Sequence, residues 1–219
     1  NNKITIINLH VTRIDDVGSE SLAEMLKENT SLQTLNISDT PITDVGINLI
    51  AEALKANNKL RTINLSNKGI NANGAELLAE MLETNTSLQT IDVSRNLIKT
   101  LGTQKIAKAL KVNNSLQTLN LSDNKIYNGG IADIAKALKE NSSLQALDIS
   151  YNHNIGDKGA AHLAEMLKKN TSLQTLDISN TRITHVGIGS ILTALETNYS
   201  LLNLNHSTNI YLSALHSPY

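Results

Sequence analysis

Side chains that could do chemistry are few in this chain, and their spacing argues against most of what they could do. Its six histidines are His10, His153, His162, His185, His206 and His216. None stands in the His-Glu-x-x-His spacing that would set two imidazoles and a general base on one helix face. His162 and His185 lie about one repeat from any other candidate ligand, so no metal site is expected. Three carboxylates, Asp92, Asp148 and Asp177, fall in one structural column. Paired carboxylates suit acid–base work or Ca²⁺, yet this column also holds Asn64, Asn120 and Asn205, so it reads as solvated filler. The glycines form neither G-x-G-x-x-G nor a phosphate loop with its lysine. Cysteine is absent, which removes thiol catalysis, disulfides and thiolate ligands together. No enzyme signature and no cofactor site emerge.

The element that must position everything else is a phrase. NTSLQTLDIS at 170–179 is nearly repeated as NTSLQTLNIS at 29–38, NTSLQTIDVS at 85–94, NNSLQTLNLS at 113–122 and NSSLQALDIS at 141–150. Apolar triplets fall at Ile4/Ile7/Leu9, Leu32/Leu35/Ile37, Leu60/Ile63/Leu65, Leu88/Ile91/Val93, Leu116/Leu119/Leu121, Leu144/Leu147/Ile149 and Leu173/Leu176/Ile178. A degraded copy follows at Leu201/Leu204/His206. The step is 28 residues except from Leu144 to Leu173, where the loop Asn152-His153-Asn154 takes in one more. A period in this range means a solenoid.

Each unit then runs through an isoleucine (Ile42, Ile70, Ile98), a glycine four later (Gly46, Gly74, Gly102) and an amphipathic segment such as LLAEMLETN. Leu78, Ala79 and Leu82 have the spacing of one helix face. The recurring glycine marks a backbone requirement where the chain turns into its helix. Asparagines 29, 57, 85, 113, 141, 170 and 198 close the helices, which predicts the left-handed geometry that asparagine tolerates there. The unit is strand, loop, helix, turn, and the crossovers make the strands parallel and right-handed. Strands pack about 4.8 Å apart and helices about 8–10 Å. The stack therefore bends with its sheet inside. The fold class is an α/β horseshoe fragment of about seven repeats plus a degenerate eighth. Residues 1–206 form the solenoid. Residues 207–219 form a cap or tail, with Ile210, Tyr211, Leu212 and Leu215 folding over the last unit.

The pattern L-x-x-L-x-[LI]-S-x-[NT]-x-I-x-x-x-G-x-x-x-[LI]-A-x-x-L-x-x-N-x-S resembles leucine-rich repeats of the ribonuclease-inhibitor subclass. It is similar to the repeats of NOD-like receptors, of the Ran GTPase-activating protein and of effectors that intracellular bacteria deliver into host cells. The resemblance covers residues 4–198 and implies a partner-binding solenoid. It departs in lacking the inhibitor's cysteines, and in placing Thr12, Thr40, Lys68 and Thr181 where the loop asparagines Asn96, Asn124 and Asn152 stand. Lys68 only donates, so the third loop is expected to be looser. The Ran-activating relatives use a loop arginine at one end of the array; Arg13 occupies such a loop without the surrounding motif.

Composition narrows the partner. The net charge is −1, with 11 Lys/Arg against 12 Asp/Glu in residues 1–110 and 8 against 8 in 111–219. No basic block marks a nucleic-acid surface, and no apolar run reaches the roughly 18 residues of a membrane span. Asn-x-Ser motifs at Asn85, Asn113, Asn141 and Asn170 would place glycans inside a tight stack, so a cytoplasmic location is expected, extending to a host cytosol for a delivered effector.

A binding surface shows as exposed departure from the consensus. The position seven after each leading apolar residue reads Val11, Asp39, Asn67, Arg95, Asp123, Tyr151 and Asn180. Arg95, Asp123 and Tyr151 stand on consecutive repeats, and the adjoining loops add Lys125, Tyr127, His153 and Arg182. Tyrosine and arginine most often dominate contact energy. These seven residues are the candidate partner-binding set, although Arg95 pairing with Asp123, or plain drift, would leave the same trace. The expected function is a non-catalytic, monomeric protein–protein interaction scaffold. The alternative is a GTPase-activating or substrate-docking module of a larger enzyme.

Overall fold

A computed structural model describes residues 3–209. Within them, strands β1 (Ile6–Asn8), β2 (Thr34–Asn36), β3 (Thr62–Asn64), β4 (Thr90–Asp92), β5 (Thr118–Asn120), β6 (Ala146–Asp148), β7 (Thr175–Asp177) and β8 (Asn203–Asn205) alternate with seven helices. The helices are α1 (Asp16–Glu28), α2 (Asp44–Ala56), α3 (Ala72–Thr84), α4 (Lys99–Leu110), α5 (Asn128–Leu138), α6 (Asp157–Leu167) and α7 (His185–Leu195). The strands make one open parallel sheet in chain order. Leu35 pairs with Ile63, Ile63 with Ile91 and Ile91 with Leu119, so the register is the sequence period itself. The insertion at 153–154 does not disturb it: Leu147 still meets Leu176. The proposed cap residues Ile210, Tyr211, Leu212 and Leu215 lie outside the described residues.

The core is the apolar frame. Leu60, Ile63, Leu65, Ile70 and their equivalents are fully buried between sheet and helices, joined by helix residues such as Leu78, Met81 and Leu82. At the first repeat Ile7, Leu9, Ile14, Leu22 and Met25 are only partly buried, because nothing described covers their outer side.

The helix-closing asparagines correct the expectation. Asn29, Asn57 and Asn85 have extended backbones, with φ near −75°. Their side chains explain them. Asn113 Nδ2 donates to the carbonyls of Leu82 and Asn85 in the preceding repeat at 2.8 and 3.2 Å. Its Oδ1 accepts from Ser115 and Leu116 N–H of its own turn. Asn57, Asn85, Asn141 and Asn170 repeat this pattern in near-complete burial. Each amide satisfies carbonyls that a helix end otherwise leaves orphaned.

The recurring glycine is also explained by packing. Gly46 has no left-handed φ, but a Cβ there would lie 2.6 Å from Ile42 Cγ2 and 2.5 Å from Ser19 Oγ. Gly102 and Gly187 are closed off by Ala75 and Ala160 of the neighbouring helix, each 2.8 Å away. Helix N-termini approach too closely for any side chain.

Two substitutions separate the apolar frame from the polar one. Leu119→Ala, at a fully buried sheet position, should lower unfolding free energy by about 2–5 kcal/mol. Asn113→Ala strands buried N–H and C=O groups and should cost at least about 2 kcal/mol. Denaturant titration followed by circular dichroism measures both, and unaltered midpoints would mean that the frame is misaligned.

Candidate protein-recognition surface

Loops between each strand and the next helix hold a second buried ladder. Asn96 Nδ2 donates to Leu65, Val93 and Ser94 carbonyls, and its Oδ1 accepts from Lys68 N and Ile70 N. Asn124 and Asn152 do the same one and two repeats on. Where threonine replaces asparagine, its hydroxyl keeps one bond of the set: Thr40 Oγ1 donates to Ile37 O at 2.9 Å and Thr181 Oγ1 to Ile178 O at 2.8 Å.

Lys68 does not loosen its loop, contrary to expectation. Its aliphatic stem fills the buried column, and Nζ donates to Thr40 O at 2.7 Å and Thr40 Oγ1 at 2.6 Å. Burial pushes the ammonium down from 10.5 to about 8, only partly offset by the nearby Asp39 carboxylate.

A third ladder escaped sequence reasoning. Asp16 Oδ1 accepts from Thr43 N and Gly46 N at 2.8 and 3.0 Å, and Asp157 clasps Thr184 and Gly187 in the same way. Asn128 bonds Gly156 and Gly159. The signal was present, because an acidic or amide residue recurs two before the glycine, but its partner lies about 30 residues away.

On this frame sits the variable column. Val11, Asp39, Asn67, Arg95, Asp123, Tyr151 and Asn180 all have left-handed backbones, φ between 50° and 56°. The cause is inter-repeat bonding: Arg95 N donates to Ser122 O, Asp123 N to Ser150 O and Tyr151 N to Ser179 O, at 2.9–3.0 Å. Asparagine and aspartate accept this region readily, whereas arginine, tyrosine and valine do so against preference. Asp39, Asn67, Asp123 and Asn180 are therefore the local optimum. Arg95 and Tyr151 are departures from it.

Arg95, Asp123 and Tyr151 converge on one cleft of about 560 Å³ at the sheet's edge, with Asp148, Asp177 and Asn180 on its floor and rim. No ion pair joins Arg95 to Asp123 among the described residues. Desolvation raises the Asp148 carboxyl, opposed by its bonds to Ser150 and reinforced by Asp177 and Asp92. Lys125, Tyr127, His153 and Arg182 are exposed but do not line the cleft. They stand on the neighbouring loops, which are themselves stitched by short parallel bridges, Tyr127 to Asn154 and Gly156 to Arg182. Tyr127 and Tyr151 are each 53% exposed. Among the described residues no group of three His, Cys, Asp or Glu side chains could hold a metal ion, and no helix is long and apolar enough to cross a membrane.

The leucine-rich repeat family matches residues 28–51, 112–135, 140–164 and 169–192, each window spanning a helix end, a strand and the following helix start. The chain folds as a leucine-rich repeat solenoid. Among solved structures it is similar to Leiomodin-1 Actin-Binding Site 2, at 25% identity and TM-score 0.58, over 68% of this chain and 86% of that one. It is similar in fold to the tropomodulin C-terminal domain of Caenorhabditis elegans, at 24% identity and TM-score 0.59, over 69% of this chain and 92% of that one. No curated protein sequence matches it.

Lys68 supplies a titration test. The folded chain releases this proton near pH 8, while the unfolded chain holds it to about 10.5. Between those values unfolding takes up a proton, so Lys68 makes stability rise with pH across that window. Melting of the wild-type protein should gain on that of Lys68→Met between pH 8 and 10.5; parallel curves would place the amine in water.

Proposed function

We propose that this chain is a non-catalytic recognition scaffold that engages a partner protein through the cleft edged by Arg95, Asp123 and Tyr151. One observation carries the reading. The geometry of this column favours Asn or Asp; four of its seven members comply, Val11 departs in the first repeat, and Arg95 and Tyr151 depart at one cleft, where they place a guanidinium and a phenol. Strain of this kind persists where the surroundings over-determine it, and it clusters at binding and switching sites. The loop residues Lys125, Tyr127, His153 and Arg182 extend the surface beyond the cleft, in the direction where repeat insertions usually gather.

Leiomodin-1's similar segment is its Actin-Binding Site 2, which makes actin the first partner to test. The resemblance to repeat effectors supports a host protein as a further target. A compartment without N-glycosylation fits the sequon asparagines Asn85, Asn113, Asn141 and Asn170. Their amide nitrogens are all committed to buried carbonyl bonds, and a glycan would replace one of those hydrogens.

The double substitution Arg95→Asn/Tyr151→Asn separates binding from folding. Restoring the residues that accept left-handed geometry should hold or raise stability, by up to about 1 kcal/mol per site, while weakening the partner at least tenfold. Thermal melting and actin co-sedimentation, followed by comparative capture with wild-type and variant protein, read both effects. A partner bound equally by the two forms would place recognition elsewhere.

A further inference from the structure

The even charge balance along the sequence conceals a segregation on the outer helices. Segments 16–28, 44–56 and 72–84, the first three helices, carry nine acidic and two basic residues. Segments 99–112, 128–140 and 157–169, covering α4–α6 and their closing turns, carry nine lysines and four acidic residues. The switch occurs within one column. Glu24, Glu52 and Glu80 occupy a helix position at which the next two repeats place Lys108 and Lys136.

Helix stability does not account for the change. Three residues on from that column stand Lys27, Lys55, Lys111, Lys139 and Lys168. In α1, α2 and α6 the pair is therefore Glu followed by Lys, with Lys55–Glu52 at 2.6 Å and Lys168–Glu165 at 2.5 Å. In α4 and α5 it is Lys108/Lys111 and Lys136/Lys139, and like charges at this spacing repel. The like-charged Glu80 and Glu83 of α3 are each answered by a lysine of an adjacent helix, Lys55 and Lys108, at 3.5 Å. Lys111, Lys136, Lys139 and Lys169 have no ion pair among the described residues, although Asp133 and Glu140 share their surface.

These side chains meet in space. One groove between α4 and α5 is lined by Lys108, Lys111 and Lys136, and a larger one of about 570 Å³ between α5 and α6 by Lys136, Lys139 and Lys169. Glu165 reports the local field: its carboxyl is held below the usual range, first by its bond to Lys168 and then by Lys139 and Lys169.

We propose that the outer face of α4–α6 is a docking surface for a short acidic polypeptide segment, distinct from the cleft on the sheet side. Two features favour a peptide over nucleic acid. The patch spans three helices, about 20 Å, and is bounded by Glu76, Glu80 and Glu83 of α3, which repel a long polyanion running along the array. All its cations are lysines, whereas phosphate is best gripped by the bidentate fork of arginine. An extended segment of about six residues covers that width.

The test is fluorescence anisotropy of a labelled ten-residue poly-glutamate peptide at low salt, where screening is weak. The wild-type protein should bind it. Lys108→Glu/Lys136→Glu, which restores the residue type of the first three repeats, should weaken binding at least tenfold. Lys3→Glu/Lys59→Glu changes the net charge equally and should shift affinity less than twofold. Circular dichroism checks that both variants fold. Absence of wild-type binding, or equal loss in the two variants, overturns the site. Tighter binding of a ten-base-pair DNA duplex than of the peptide overturns the choice of partner.

Discussion

A carboxamide that bonds forward and backward at once is the constraint on which this architecture depends. Asn113 donates into the repeat before it and accepts from its own turn; at the opposite end of the strand Asn152 donates to carbonyls of its own and the preceding repeat and accepts from N–H groups of the preceding one. The inter-repeat half is denied to an isolated unit, because the groups to be satisfied belong to a neighbour. Stability is thus a property of interfaces between repeats, as expected of a quasi-one-dimensional stack. It also fixes the period. An asparagine displaced by one residue would miss carbonyls about 3 Å away, and the hydrogen bond would be lost. The one additional residue lies after Asn152 has closed its set and before Ile155 returns to the core.

The apolar half of this arrangement was legible in the sequence. Leu-x-x-Leu-x-Leu spacing places residues on a strand, and their pairing follows the repeat step, 28 residues throughout except 29 from β6 to β7, with full burial from β2 to β7. The polar half was not, for a physical reason. Whether an asparagine closes a helix through its backbone or its side chain depends on what lies 31 residues earlier in the chain, which local spacing does not contain. The same holds for Gly46 and Gly102, whose absent side chains are dictated by Ser19 and Ala75 of other repeats. Lys68 shows the limit from another direction. Its donor-only chemistry was read correctly, but Thr40, 28 residues back, had acceptors to offer it.

For the candidate surface, sequence gave the column but not its backbone. Seven varying residues look alike as a list, and nothing in the chain alone distinguishes drift at Asp39 from drift at Tyr151. The left-handed conformation separates them. It makes four of the residues ordinary and Val11, Arg95 and Tyr151 expensive, and of these three Arg95 and Tyr151 line one cleft. Lys125 and Arg182, chosen for their neighbouring positions, lie on loops beside that cleft rather than in it.

A repeat protein supplies its own controls. Each column shows which residue the frame accepts at a given geometry, so a departure has to be explained by something that acts on one copy alone. Arg95 and Tyr151 meet this criterion on the inner face, where Asp39, Asn67, Asp123 and Asn180 fill the same column. Lys108 and Lys136 meet it on the outer face. The α4–α6 patch gathers lysines, whereas the cleft gathers Asp123, Asp148 and Asp177 around Arg95, and a packed apolar layer lies between them. The asparagine ladders lie beside that layer, with the amides of Asn113 and Asn152 bonded to backbone groups of their own and the preceding repeat. Two such surfaces on one stack would be held at fixed separation by the bonds between repeats.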